Sequence, residues 1–239
     1  MVTVKLYDLA LALARVTPCA LKGEGHPILE NVLVEADSAA STLTLTASDG
    51  FRLGKAVLAA QVETSFRKMF PANSFAWINP HKLTFSALDV LLDPAQMADA
   101  GPYPKTGAMQ PTTEAIVIVL PAKLLALVRS LKRFVDASQD VYWSITSSGH
   151  VLEIKQDKIN SRWNVPADLY TGRSIWFCVS FGQLASVLAA AQGEAELSLH
   201  FRSTKTLIIF SGAGGANTWW LMPQNGHMDY QPLVAYKES

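Results

Sequence analysis

The sequence predicts an α+β fold assembled from a repeated strand–helix–strands unit, and three observations carry the prediction. Apolar residues switch along the chain between a period of about two, as in strands, and a period of about 3.6, as in helices. The switch recurs in the same order, with a short strand running into an amphipathic helix and then into alternating strands. The strands are separated by short polar or glycine-containing turns, the connection that antiparallel pairing uses.

The first unit opens with a strand over Val2–Leu6 and a helix over about Tyr7–Val16. At about 100° per residue, Leu6, Leu9, Leu13 and Val16 share one face, and Asp8 and Arg15 share the other. Strands over Ile28–Glu35 and Thr42–Thr46 follow, with Asp37 to Ser41 as the hairpin loop between them. A second unit begins with the β-branched run Ile116–Leu120. Pro121 sits at the first helical position, where its missing N–H costs nothing. Its helix, about Pro121–Phe134, turns Leu124, Leu127, Val128, Leu131 and Phe134 inward. Strands over Val141–Thr146 and Val151–Lys155 follow, and a third possible strand ends at Val165. A third unit has a strand at Trp176–Val179, a helix at Phe181–Gln192, and strands at Glu196–Phe201, Thr206–Phe210 and Thr218–Leu221. Residues 64–113 fit the pattern least. A strand at Phe75–Ile78, a weak helix at about His81–Leu92 and a loop rich in Gly, Pro and Ala read as a fourth, degraded copy or as an insertion.

At 239 residues, 49% hydrophobic and 17% charged, the chain has material for two packed domains. Twenty basic and twenty acidic side chains cancel, so net charge does not advertise a nucleic-acid partner. The distribution of the cations matters more than their sum. Cys19 and Cys178 lie far apart in apolar surroundings, which points to buried free thiols in a reducing compartment. No apolar run approaches the roughly 18–20 residues of a membrane span. The N-terminus lacks a signal-peptide layout, so a cytoplasmic location and no membrane partner are expected.

Two segments carry a family resemblance. His26-Pro27-Ile28-Leu29-Glu30-Asn31-Val32-Leu33-Val34-Glu35, followed by Leu43-Thr44-Leu45-Thr46-Ala47-Ser48-Asp49-Gly50-Phe51-Arg52-Leu53, resembles the middle domain of the bacterial beta sliding clamp. In that family an apolar strand and a short gap precede a strand ending in Ala-Thr-Asp-Gly-His-Arg-Leu. Trp219-Trp220-Leu221-Met222-Pro223 looks like the end of the family's last domain, and Gly101-Pro102-Tyr103-Pro104-Lys105 resembles the linker between the two. The resemblance implies a DNA-clamp fold of two clamp-like domains, residues 1–112 and 113–239, with nothing matching the family's first domain. It also implies a cleft that accepts polymerase and clamp-loader peptides. That cleft would be walled by Leu29, Ser48, Gly50, Phe51, Arg52 and Leu53 on one side and by Trp220, Leu221, Met222 and Pro223 on the other, with Pro104 beside them. Gly50 suits a turn with positive φ, and Met222 is an adaptable apolar contact. Phe51 replaces the family's His, Gln224-Asn225 replaces its Met-Arg ending, and Thr106 to Met109 stand where arginines are common.

Clamp rings of this family contain six domains, so a two-domain chain would need to trimerise around duplex DNA. Lys123, Arg129, Lys132 and Arg133 project away from the apolar face of the second helix with no acidic residue among them, as phosphate contacts without sequence readout require. Arg15, Lys82 and His81 are candidates to extend that lining, while the third helix is uncharged. The alternative function is a peptide-binding accessory or regulatory module that no longer encircles DNA.

Catalysis has little support. The five histidines are scattered, with no metal-ligand spacing and no Gly-x-Ser-x-Gly elbow. Gly212 to Gly215 lacks the Lys-Ser/Thr and helix of a phosphate loop. Asp49 beside Arg52 reads as a salt link or turn cap. No catalytic residue, metal or cofactor is expected.

Overall fold

The structure is a computed structural model and describes residues 1–23, 26–74, 88–103, 116–156, 159–166, 174–201 and 207–224. The C-terminal half shows the repeat in its complete form. One unit is β9 (Ile116–Val119), α2 (Ala122–Leu131), β10 (Asp140–Thr146), β11 (Gly149–Gln156) and β12 (Ile159–Pro166). The next is β13 (Ile175–Ser180), α3 (Phe181–Ala190), β14 (Leu197–Phe201), β15 (Ile208–Gly212) and β16 (Asn217–Leu221). Each unit lends its first strand to the other, so β13 extends the β12-β11-β10 sheet and β9 extends β16-β15-β14. All these pairings are antiparallel. Trp143 stacks on Phe210 at 6.3 Å and Phe177 meets Phe201 edge-on at 5.1 Å, filling the space between the two sheets with aromatic rings.

The N-terminal half starts the same way with β1 (Val2–Lys5), α1 (Leu6–Val16), β2 (Asn31–Asp37), β3 (Thr42–Ser48) and β4 (Arg52–Ala59). The expected face of α1 is buried, with Leu6, Leu9, Leu13 and Val16 against the core. The region of residues 64–113 departs from expectation. Its first strand is β6 (Phe66–Pro71), which joins β2 as β13 joins β10. Sequence periodicity misses it because Arg67 and Lys68 interrupt the apolar pattern; their charges are met by Glu35 and Asp99 at 3.2 and 2.5 Å. The expected helix at His81–Leu92 is corrected at its end, where Asp89–Leu92 is strand β7. There Leu92 and Val90 lie opposite Val2 and Val4 on β1, and tertiary pairing overrides a weak helical pattern. Phe75–Ile78 and His81 lie outside the described residues.

β7 occupies the place beside β1 that β14 occupies beside β9. No strand continues its sheet outward among the described residues. The chain instead makes a turn at Pro94–Gln96 and returns as β8 (Ala98–Asp99) beside β6, while β5 (Gln61–Val62) borders β1 on its other side.

The two halves join edge to edge. β16 pairs with β4 over five residues, Asn217 opposite Ala56 through Leu221 opposite Arg52. The result is one nine-stranded sheet, in the order β8-β6-β2-β3-β4-β16-β15-β14-β9. The helices pack behind the sheets, α1 across β3 and β4 and α2 against α3.

Two further expectations are corrected. β2 begins at Asn31 rather than Ile28, because residues 27–30 form a turn closed by the Leu29 N–H donating to the His26 carbonyl at 2.9 Å. α2 stops at Leu131, short of Phe134, so Phe134 leaves the apolar face and stands 80% exposed.

Candidate functional site

The candidate site begins at the turn before β4, which is organised around one carboxylate. Asp49 Oδ1 accepts the backbone N–H groups of Phe51 and Arg52 at 3.0 and 2.8 Å, and Oδ2 accepts from Arg52 Nε at 2.7 Å. The Ser48 hydroxyl donates to the Arg52 carbonyl at 2.9 Å and accepts from the Gly50 N–H at 3.1 Å. Gly50 has φ +91°, a conformation that side-chain-bearing residues rarely adopt, and a Cβ there would touch Leu29 Cδ1 at 4.0 Å. Salt link and turn cap are therefore one structure. With both neighbours of the turn tied down, Phe51 projects into solvent, 61% exposed.

The register of β16 places the second segment beside this turn. Trp220 lies opposite Leu53, Leu221 opposite Arg52, and the Met222 N–H donates to the Phe51 carbonyl at 2.9 Å. The picture of two facing walls is corrected: the segments are neighbours in one sheet. Leu29 and Pro223 are half-buried and Gly50, Phe51 and Met222 are exposed, so these five meet solvent as a small apolar ledge. Ser48, Leu53, Trp220 and Leu221 are buried, and Arg52 is largely committed to Asp49. Pro104 lies outside the described residues.

Alternation along β16 sends the two indoles to opposite faces. Trp219 enters the main core, and Trp220 packs with Leu53, Ile209 and Leu207 on the other side. Tyr103, from the expected linker, is buried and donates its hydroxyl to the carbonyls of Asn31 and Thr46 at 3.2 and 3.3 Å. Burial pushes the Cys19 thiol up to about 12, with Arg52 lowering it and Asp49 raising it by smaller amounts. A thiol held that high is inert at neutral pH.

The placement of Arg15 corrects its assignment to a DNA-facing surface. Its Nη2 lies 2.6 Å from Glu194 Oε1, the side chains being only 16% and 7% exposed. Asn217 Nδ2 donates to the same oxygen at 2.9 Å, and Trp219 Nε1 donates to the Arg15 carbonyl at 2.9 Å. The end of α1 is thereby fastened to β16 and to the segment after α3. Nothing in local sequence pattern signals Glu194, since its partner lies in the other half.

The cations of α2 behave differently. Lys123, Arg129, Lys132 and Arg133 are exposed and pair with no carboxylate among the described residues. They do not form a single file. Lys123 borders a hollow of about 370 Å³ with Leu127, Arg162 and Trp163, whereas Arg129 and Lys132 flank the groove between α2 and α3. Arg162 is a basic neighbour the sequence reading missed, because only the fold brings β12 beside α2; it also lies 3.5 Å from Glu153. Lys82 and His81 fall outside the described residues.

A further hollow, of about 670 Å³, lies elsewhere, between Thr17–Gly23, the Pro27–Asn31 turn and Pro71–Asn73. Among the described residues no three His, Cys, Asp or Glu side chains gather as a metal site. Nor, among the described residues, is any helix long and apolar enough to cross a membrane.

No protein-family model matches the sequence, and no curated protein matches it either. Solved structures do. The chain is similar to the DNA polymerase III subunit beta of Pseudomonas aeruginosa, with TM-score 0.78 and 16% identity, over 94% of this chain and 66% of that one. For the same subunit of Borrelia burgdorferi the TM-score is 0.80 at 15% identity, over 95% and 65%. A Helicobacter pylori beta clamp bound to a DNA ligase peptide gives 0.74 at 16%, over 93% and 65%. The chain thus spans about two thirds of the length of these clamps. In architecture, with paired strand–helix–strands units joined edge to edge through antiparallel sheets, this chain has the sliding-clamp fold of the bacterial DNA polymerase III beta subunits.

Proposed function

We propose that this chain is a shortened sliding-clamp-type processivity factor, built from clamp-like domains at residues 1–112 and 113–239, that holds a replication enzyme on duplex DNA without catalysing a reaction. The observation that carries the reading is the β4–β16 joint, which continues one sheet from one half into the other. Joining sheets by their edges both protects exposed strands and builds curved assemblies. β12 is the counterpart of β16 in the other C-terminal sheet and has a free edge among the described residues. Three copies joined through such edges would make six domains. The unpaired cations of α2 supply phosphate contacts that allow sliding. The ledge of Leu29, Phe51, Met222 and Pro223 supplies an apolar contact for a peptide from a polymerase or clamp loader. A replication role places the protein in the cytoplasm.

A second reading has an observation of its own. β7 has only four residues and no further strand beside it among the described residues, so the edge that would meet β12 of another copy is short. That favours an accessory module which binds peptides and does not encircle DNA.

Solution mass and topology separate the two. A trimer at micromolar concentration, retained on nicked circular DNA and released when the circle is cut, is expected from a ring. A strict monomer that binds a clamp-binding peptide, and loses it on Met222→Ala, would overturn encirclement and leave the module.

A further inference from the structure

Three residues past the end of α2, Phe134 is the most exposed large apolar side chain among the described residues, at 80%. Lys132 and Arg133 immediately precede it, and Arg129 lies in the last turn of α2, all exposed. Cations in a last helical turn are favoured by the helix dipole, which accounts for their sign without any ligand. It does not account for a phenyl ring held in water.

The backbone that carries the ring is also held in place. The N–H groups of Phe134 and Val135 both donate to the Leu131 carbonyl at 2.9 Å, and Val135 packs on the core. The Ala137 carbonyl accepts from Ser180 Oγ and from the Gly182 N–H, each at 2.9 Å. A Cβ at Gly182 would come within 2.8 Å of that carbonyl, so only glycine permits the approach. The acid nearest in sequence, Asp136, is turned to its own loop, accepting from the Ser138 N–H and hydroxyl at 2.8 and 2.7 Å.

We propose that this turn is a stacking site for an unpaired nucleotide of single-stranded nucleic acid, with a base on the face of Phe134 and flanking phosphates on Arg129, Lys132 and Arg133. An aromatic platform bordered by cations suits a single strand, whose bases are free to stack and whose backbone is anionic. A duplex offers the phosphates but keeps its base faces covered. The site requires neither ring closure nor the apolar ledge; it shares Arg129, Lys132 and Arg133 with the function proposed above and adds Phe134, which that function does not use.

Fluorescence anisotropy of the full chain tests it, using a labelled oligothymidine of about twenty nucleotides, an abasic strand of equal length and a duplex. Oligothymidine is expected to bind more tightly than the abasic strand. Phe134→Ala should weaken oligothymidine binding about five- to 100-fold and leave the other two probes unchanged, with Phe134→Trp restoring affinity. Tight oligothymidine binding that depends on Phe134, with no binding to the short linear duplex, would support this site, while the duplex-sliding function stands or falls separately on retention by nicked circular DNA. Equal affinity for oligothymidine and the abasic strand would overturn the proposal. So would Phe134→Ala weakening all three alike, or leaving all three unchanged, in which case the ring serves another partner.

Discussion

Replacing Arg15 with methionine keeps an aliphatic stem and the backbone carbonyl that Trp219 uses, and removes the charge opposite Glu194. The carboxylate would remain 7% exposed with Asn217 as its polar neighbour. Stripping one partner from a buried ion pair costs about 3–5 kcal/mol. Two features lower the figure here. Asn217 still donates to Glu194, and Arg15 Nε, buried without a hydrogen-bond acceptor, disappears with the substitution. A loss of about 2–3 kcal/mol is therefore expected. In Arg15→Met/Glu194→Gln the amide oxygen keeps the Asn217 hydrogen bond and no charge is stranded, so the loss should fall to about 1 kcal/mol. Urea unfolding followed by tryptophan fluorescence reads both values. For a chain of this length the single variant should melt roughly 5–10 °C lower. A single variant within about 0.5 kcal/mol of the parent would refute the reasoning. A double variant no more stable than the single one would refute it equally, because the stranded carboxylate would not be the cause.

His150 accepts from Trp143 Nε1 at 3.2 Å inside the C-terminal core, and burial pulls its pKa from 6.5 down to about 4. An unfolded chain protonates first, so the stability present above pH 6.5 should fall as pH drops toward 4, by about 3 kcal/mol in all. A His150→Gln variant should lack that slope in its urea midpoints, and an unchanged slope would reject the assignment. Gly50→Ala should destabilise by about 1–2 kcal/mol from its φ of +91°, measured by thermal melting, whereas a substitution at exposed Ala14 should not. Cys19 and Cys178 are both buried with thiols pushed up to about 12. Neither should react with a disulfide reagent at pH 8 until urea unfolds the chain, so rapid labelling of the native protein would contradict their burial.

Local periodicity was enough to find the complete units, because each buries one apolar stripe per helix and alternates along each strand. It was not enough for β6 and β7. Arg67 and Lys68 hide a strand whose charges are matched only by Glu35 and Asp99 across the sheet, and Asp89–Leu92 becomes extended only beside β1. The same limit applies to the candidate site. The turn chemistry of Ser48, Asp49 and Gly50 is local and was readable. That Thr46–Leu53 and Trp220–Pro223 share a sheet was not, since only the β4–β16 register sets it. Helical spacing placed Arg15 on a solvent face, and Glu194 arrived from the other half to cover it. Helical spacing turns Phe134 inward only by continuing α2 past the point where the backbone leaves the helix.

The joint between the halves is fastened at two depths. The β4–β16 hydrogen bonds lie in the sheet, while the Arg15–Glu194–Asn217 contacts and the Trp219 indole lie behind it, at the end of α1. A seam held on one side only would act as a hinge. Fastened front and back, it resists bending as well as separation, so the angle between the halves is a property of the single chain. An assembly of copies joined through the remaining sheet edges would inherit that angle, and the Arg15–Glu194 pair would oppose a partner that changed it.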